Sequence, residues 1–173
     1  MSEDAGLARF AVELYGRPGV GDACLLLQDR AGVNVVILLT AVWTAARSGA
    51  RLTEADIGGL HAQVADWNAH VVQPLRSARR WLKTSDVPAA AERATRLRTE
   101  VKKLELDAEL IELDMLEAAA SDIGVADGHE STAAGTAERN GLAVLSFYSS
   151  RAARDDERQA LLTIARSATS GVS

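Results

Sequence analysis

The sequence predicts an all-α fold, a bundle of six to eight helices around a long central helical hairpin, and three observations carry that prediction. Hydrophobic residues make up 47% of the 173 positions, aromatics only 4%, and there are three prolines; such a chain builds its core from leucine, valine, isoleucine and alanine and favours helix over sheet. From Val87 to Ala119, apolar or small side chains return at alternating steps of three and four: Ala90, Ala94, Leu97, Val101, Leu104, Ala108, Ile111, Met115 and Ala118. That spacing keeps one helix face apolar for about four heptads. Residues that start and stop helices also punctuate the chain at helical distances.

Taken in order, Ser2 is placed to cap a first helix carrying Leu7, Phe10, Ala11 and Leu14, with Glu3 and Asp4 in its first turn and its end near Gly16. Arg17, Pro18 and Gly19 make a turn into a second helix over 20–30, closed by Gly32. Asn34 caps a third helix, Val35 to Ala46, which is apolar nearly all round and is too short to span a membrane. It reads as a helix buried inside the bundle. After Gly49, Thr53 with Asp56 forms an approximate capping box for a fourth run, whose stripe is Ile57, Leu60, Val64, Val71, Leu75 and Leu82. Pro74 must kink or divide this run, because it removes a hydrogen bond and collides with the preceding turn. A tight turn at Thr84 to Asp86 leads into the long helix, with Ser85 and Asp86 as good caps and Pro88 suited to its first turn, so the two should form an antiparallel hairpin over 53–119.

The C-terminal half of the long helix is expected to be covered on two faces, since Leu106, Leu110 and Leu113 lie opposite the main seam. The expected core therefore includes Phe10, Leu14, Cys24, Leu27, Val36, Leu39, Trp43, Leu60, Val64, Leu75, Leu97, Val101, Leu104, Ile111 and Met115. Leu104→Ala is expected to cost about 2 to 5 kcal/mol as a buried truncation. The domain expected from these signals comprises a core at 1–121, a Gly/Ser/Thr-rich linker at 122–136, helices at 137–168 that pack back on the same domain, and a frayed tail at 169–173. In the last part Leu142, Leu145 and Tyr148 share one helix, and Leu161, Leu162 and Ile164 share another capped by Asp155.

A net charge of −5 argues against wholesale polyanion binding, and a single cysteine excludes an internal disulfide or a cysteine-based zinc cluster. The acidic start of the chain does not resemble a secretory leader, so a cytoplasmic location with no membrane association is expected. Charge order is the most informative feature. Residues 73 to 103 hold nine bases (Arg76, Arg79, Arg80, Lys83, Arg93, Arg96, Arg98, Lys102, Lys103) against three acids (Asp86, Glu92, Glu100). Residues 104 to 117 hold six acids (Glu105, Asp107, Glu109, Glu112, Asp114, Glu117) and no base. On one helix this order opposes the macrodipole. Ion pairing with other helices of the chain is the ordinary explanation; a surface for an acidic partner, a nucleic acid or a second copy is the functional one. Trp81 among Arg79, Arg80 and Lys83 sets an aromatic beside cations, as polyanion binding uses.

Other candidates are weaker. Glu105, Glu109 and Glu112 line one face, but no Glu-x-x-His accompanies them, and a solvated or ion-paired face is expected over a metal site. His61 falls on the stripe with Ile57 and Val64 and reads as a hydrogen-bonded core histidine, while His70 and His129 have no evident partners. Cys24 lies among Ala23, Leu25, Leu26 and Leu27, surroundings that raise a thiol pKa and make it inert. Gln28, Asp29 and Asn34 read as caps. The glycines of 16–21 lack the lysine and hydroxyl residue of a phosphate loop.

Three blocks carry a family resemblance. The first is Phe10, Leu14, Tyr15, Gly19, Val20, Ala23, Cys24, Leu25, Leu27, Gln28, Asp29, Val33, Asn34, Leu38, Leu39 and Trp43. The second is Trp67, Val71, Val72, Pro74, Leu75, Arg76, Arg79, Arg80 and Lys83, and the third is Lys103, Glu105, Leu106, Ala108 and Glu109. Together they resemble a family of uncharacterised bacterial proteins, over most of residues 7 to 119. The resemblance implies no activity, cofactor or partner. The functional expectation is therefore a non-enzymatic interaction or adaptor protein, self-associating or binding another protein through the charged hairpin, with no cofactor and no metal. RNA binding at the basic tip is one alternative. Another is an enzyme or ligand-binding bundle, which would need a pocket near His61 and the Glu105, Glu109, Glu112 face.

Overall fold

The computed structural model describes residues 6–84, 90–124, 132–149 and 151–170. The described residues form helices and no strand: α1 (Leu7–Tyr15), α2 (Val20–Ala31), α3 (Val35–Ser48), α4 (Glu54–Trp67), a π turn (Asn68–Val72), α5 (Gln73–Thr84), α6 (Ala91–Ser121), α7 (Ala133–Tyr148) and α8 (Asp155–Thr169). With α4, the π turn and α5 taken as one rod, this is an all-α bundle of seven helices. The expected caps at Ser2, Ser85 and Asp86, together with Glu3, Asp4, Pro88 and His129, lie outside the described residues, as do 125–131 of the expected linker and 171–173 of the expected tail.

Local chemistry sets the helix ends. Gly32 and Gly49 take left-handed φ of +67° and +70°, and their N–H groups bond back to Gln28 and Ala45. An L side chain is disfavoured there, so glycine makes these stops sharp. The Asn34 side chain accepts from Val36 N at 2.9 Å. At Thr53 both arms of the capping box are made: Asp56 N donates to Thr53 Oγ1 at 3.2 Å, and Thr53 N donates to Asp56 Oδ2 at 2.8 Å. The first helix is capped from afar, because Leu7 N donates to Glu117 Oε2 on α6 at 3.1 Å. Asp155 occupies the first turn of α8, and the cap position belongs to Arg154.

α3, rather than the long hairpin, is the element buried on all sides: every residue from Val36 to Ala45 is buried. Around it pack α1, α6, α7 and α8, with α2 against α8 and α4 against both α6 and α7. Gly141 on α7 permits the close approach of α8, since a Cβ there would lie 2.9 Å from Leu161 Cδ2. The backbone of α5 lies against α6 and the π turn, with Arg80 reaching Asp29 of α2, so α5 and α6 form a two-helix arm flanking the bundle.

On α6 the expected seam is turned the wrong way. Leu97 and Leu104 are each 54% exposed, Ile111 42% and Met115 38%, while Val101 and, on α5, Leu75 are half-buried. The inward face instead carries Glu105, Ala108, Glu112, Leu113, Leu116 and Ala120. Of the second strip only Leu113 is buried, with Leu110 half-buried and Leu106 exposed. The remaining expected core residues, from Phe10 through Val64, are all buried. The face turned inward is the one that matches its neighbours: Glu105 and Glu109 meet the arginines Arg76 and Arg79 of α5, while Leu113, Leu116 and Ala120 meet the apolar core. Leu104→Ala should consequently cost the folded monomer under about 1 kcal/mol, the range of a surface change. Urea denaturation in dilute protein checks this, and a loss above 2 kcal/mol would restore the seam to the core.

Candidate functional site

The site is assembled by the rod. Pro74 has no N–H and its ring would strike the carbonyl four residues back. The chain answers with the wider π turn, in which Gln73 N bonds to Asn68 O, five residues earlier. This extra residue turns both Trp67 and Asn68 towards α6. Trp67 Nε1 donates to Ala108 O at 3.0 Å and Asn68 Nδ2 donates to Glu112 Oε1 at 2.9 Å, while Gln73 Nε2 donates to Asn68 Oδ1 at 3.1 Å. The run is thus divided into α4 and α5 by one π turn, and Pro74 follows it in the first turn of α5.

Beyond the π turn, Arg76 Nε donates to Glu105 Oε1 at 3.1 Å and Arg76 Nη2 donates to Glu109 Oε1 at 2.5 Å. Arg79 grips both oxygens of Glu105, with Nη2 at 3.1 Å from Oε1. The Arg76 and Glu105 side chains are 11% and 8% exposed, so this is a desolvated network. Burial pushes the Glu105 carboxyl up, but its bonds to Arg79 and Arg76 outweigh that and hold it low. Glu109, half-buried and hydrogen-bonded to one arginine, is raised by desolvation. Glu112 is fully buried, its Oε2 has no partner among the described residues, and burial lifts its pKa to about 7.

Beside this network lies a cleft of about 250 Å³. The last turn of α2 contributes Gln28 and Asp29, and the cap of α3 contributes Asn34; the rod contributes His61, Asn68, Gln73, Arg76 and Arg80; α7 contributes Tyr148. Arg80 Nη2 bonds Asp29 Oδ1 at 2.7 Å across the opening. Tyr148 Oη and His61 Nδ1 are 2.8 Å apart, and the imidazole also packs against Phe147. Burial raises the Tyr148 phenol, so it serves as a hydrogen-bonding group and not as a base. Burial likewise pushes the Cys24 thiol up to about 12, which leaves no thiolate near neutral pH.

The expected site residues are therefore divided. Arg76, Arg79, Glu105, Glu109 and Glu112 come together inside, and Arg80 pairs with Asp29. The rest of the basic set stays on the arm: Trp81 is 65% exposed, Lys83, Arg93 and Lys102 are exposed, Arg98 is half-buried, and Arg96 and Lys103 pair with Glu92 and Glu100 on their own helix. Asp107 and Asp114 are exposed. Of the three residues read as caps, only Asn34 caps with its side chain; Asp29 binds Arg80. Asn68, Gln73 and Tyr148 carry no sequence signal beyond the proline that follows the turn.

These features define a helical protein with a polar cleft at the root of a two-helix arm. The chain belongs to the family described as Protein of unknown function (DUF2390), whose family model matches residues 7–116, from α1 into the last turns of α6. No curated protein and no solved structure matches the chain. Within the described residues no helix is long and apolar enough to cross a membrane.

Proposed function

We propose that this protein works as a self-associating interaction protein, two copies pairing antiparallel along α6. The observation that carries this is the stripe of Leu97, Leu104, Ile111 and Met115, all exposed and in register on one helix face. It runs about 27 Å at 1.5 Å per residue, and an apolar surface of that length on a helix is an association site or a liability. Charge selects the orientation. Arg93 and Arg96 lie at one end of the stripe, Asp107 and Asp114 towards the other. An antiparallel pair sets Leu97 of one copy against Met115 of the other, and brings Arg96 towards Asp114 and Lys103 towards Asp107. A parallel pair would stack like charges. The closed two-fold contact needs no further partner.

Light scattering should give twice the chain mass at micromolar concentration, and Leu104→Glu combined with Ile111→Glu should give a monomer of unchanged helicity. A wild-type monomer, or a double variant that still dimerises, would refute the pairing. The exposed Trp81 beside Lys83, with Arg93 and Lys102 free of ion pairs among the described residues, favours polyanion binding at the arm tip as a second reading. RNA retention that falls steeply with salt and disappears in Lys83→Glu with Lys102→Glu would support it; retention unchanged by those substitutions would reject it.

A further inference from the structure

The cleft is a second, independent feature, and its charge accounting says what it takes. Arg76 and Arg80 stand one turn apart on α5 and both line it. Arg76 is already neutralised by Glu105 and Glu109, which also fix its guanidinium in place. Among the described residues Arg80 is held by Asp29 alone, in a pair whose side chains are 54% and 58% exposed. An exposed pair of this kind is weak and easily exchanged. Opening it presents one cation from α5 and one carboxylate from α2 in a cleft that the carboxamides of Gln28, Asn68 and Gln73 also line. A lone anion would satisfy Arg80 but leave Asp29 facing it, and a lone cation would do the reverse. A molecule carrying both charges satisfies both groups and leaves the cleft neutral.

We infer that the cleft is a binding site for a small zwitterion, a compound with a carboxylate and an ammonium group a few bonds apart, such as an α-amino acid. The carboxylate replaces Asp29 on Arg80, where a guanidinium can hold it through two parallel hydrogen bonds. The ammonium goes to Asp29, on the last turn of α2, where the helix carbonyls also favour positive charge. At about 250 Å³ the cleft lies below the usual range of ligand pockets, about 300–1,000 Å³, which restricts it to small molecules. His61 and Tyr148, hydrogen-bonded to each other, also line the cleft and are the groups a side chain of the ligand would touch.

The test is titration of the full chain with a panel of L-amino acids, with acetate, inorganic phosphate and methylamine as single-charge probes, followed by calorimetry and by the NMR signals of the arginine Nε–H groups. Saturable binding of at least one amino acid is expected, with Arg80 Nε–H shifted and the single-charge probes at least about tenfold weaker. Arg80→Gln and Asp29→Asn should each weaken that binding about tenfold or more while leaving the helical circular dichroism unchanged, since both side chains are more than half exposed. No saturable amino acid binding overturns the inference. So does acetate or phosphate binding as tightly as the amino acids, or an Asp29→Asn variant that binds like wild type. None of these results bears on association through α6, which light scattering reads separately.

Discussion

Replacing Asn140 with alanine should cost about 3 to 5 kcal/mol of folding free energy, the sum expected when buried backbone groups lose their partners at about 1–3 kcal/mol each. Asn140 is fully buried on α7. Its Oδ1 accepts from Leu52 N at 3.0 Å, and its Nδ2 donates to Ala41 O and Ala50 O, both at 3.0 Å. Ala41 O lies within α3, where the helix offers it another donor. Leu52 N and Ala50 O belong to the short connection between α3 and α4 and have no ladder to fall back on. Alanine leaves both dry and unpaired, and opens a space besides. The consequence reaches the site, because that connection delivers Thr53 to its capping box and so sets the origin of the rod carrying His61, Asn68 and Arg76. Urea denaturation of the variant should show a lower midpoint at an unchanged m value. A loss under 1 kcal/mol would mean that water replaces the carboxamide and that Asn140 is not the staple described here.

Helix ends were legible in the sequence because capping is local. Gly32, Asn34, Gly49 and the Thr53–Asp56 box each act within a few residues, and each sits where its chemistry demands. The inward face of α6 was not legible from periodicity, because periodicity assigns apolar residues to the inside and acids to water. That assumption fails when a neighbouring helix carries cations at matching spacing. Arg76 and Arg79, three apart on α5, meet Glu105 and Glu109, four apart on α6, and Leu97, Leu104 and Ile111 are left facing outward. The charge order over 73–117 held that information, yet only the antiparallel docking of two helices decides which charges meet. Asn140 and Asn68 show the limit from the other side. A single asparagine on a helix looks the same whether it faces water, three backbone groups or a buried glutamate, until the opposing chain is in place.

Glu112→Gln should stabilise the protein by about 2–3 kcal/mol at pH 8 and change it by less than about 1 kcal/mol at pH 5. In the folded chain burial lifts the Glu112 pKa to about 7, against an ordinary value of 4.5. As pH rises through 4.5 the unfolded carboxyl ionises while the folded one keeps its proton, so the folded state binds more protons and stability falls. The fall continues to about pH 7 and then levels off, once both forms are ionised. Burial sets the shift, against and with the groups that face this carboxyl: Asn68, which donates to Oε1 from the π turn, and Arg76 on α5 favour ionisation, Glu109 on the same helix opposes it, and the Tyr148 phenol of α7 lies nearby. None of them donates to Oε2. Glutamine keeps the acceptor for Asn68 and cannot ionise, so it removes the penalty only where the penalty exists. Denaturation at the two pH values measures the difference. An equal gain at both would show that the carboxyl is ionised throughout, and then a charged floor, not a neutral one, would lie behind Asn68 in the cleft.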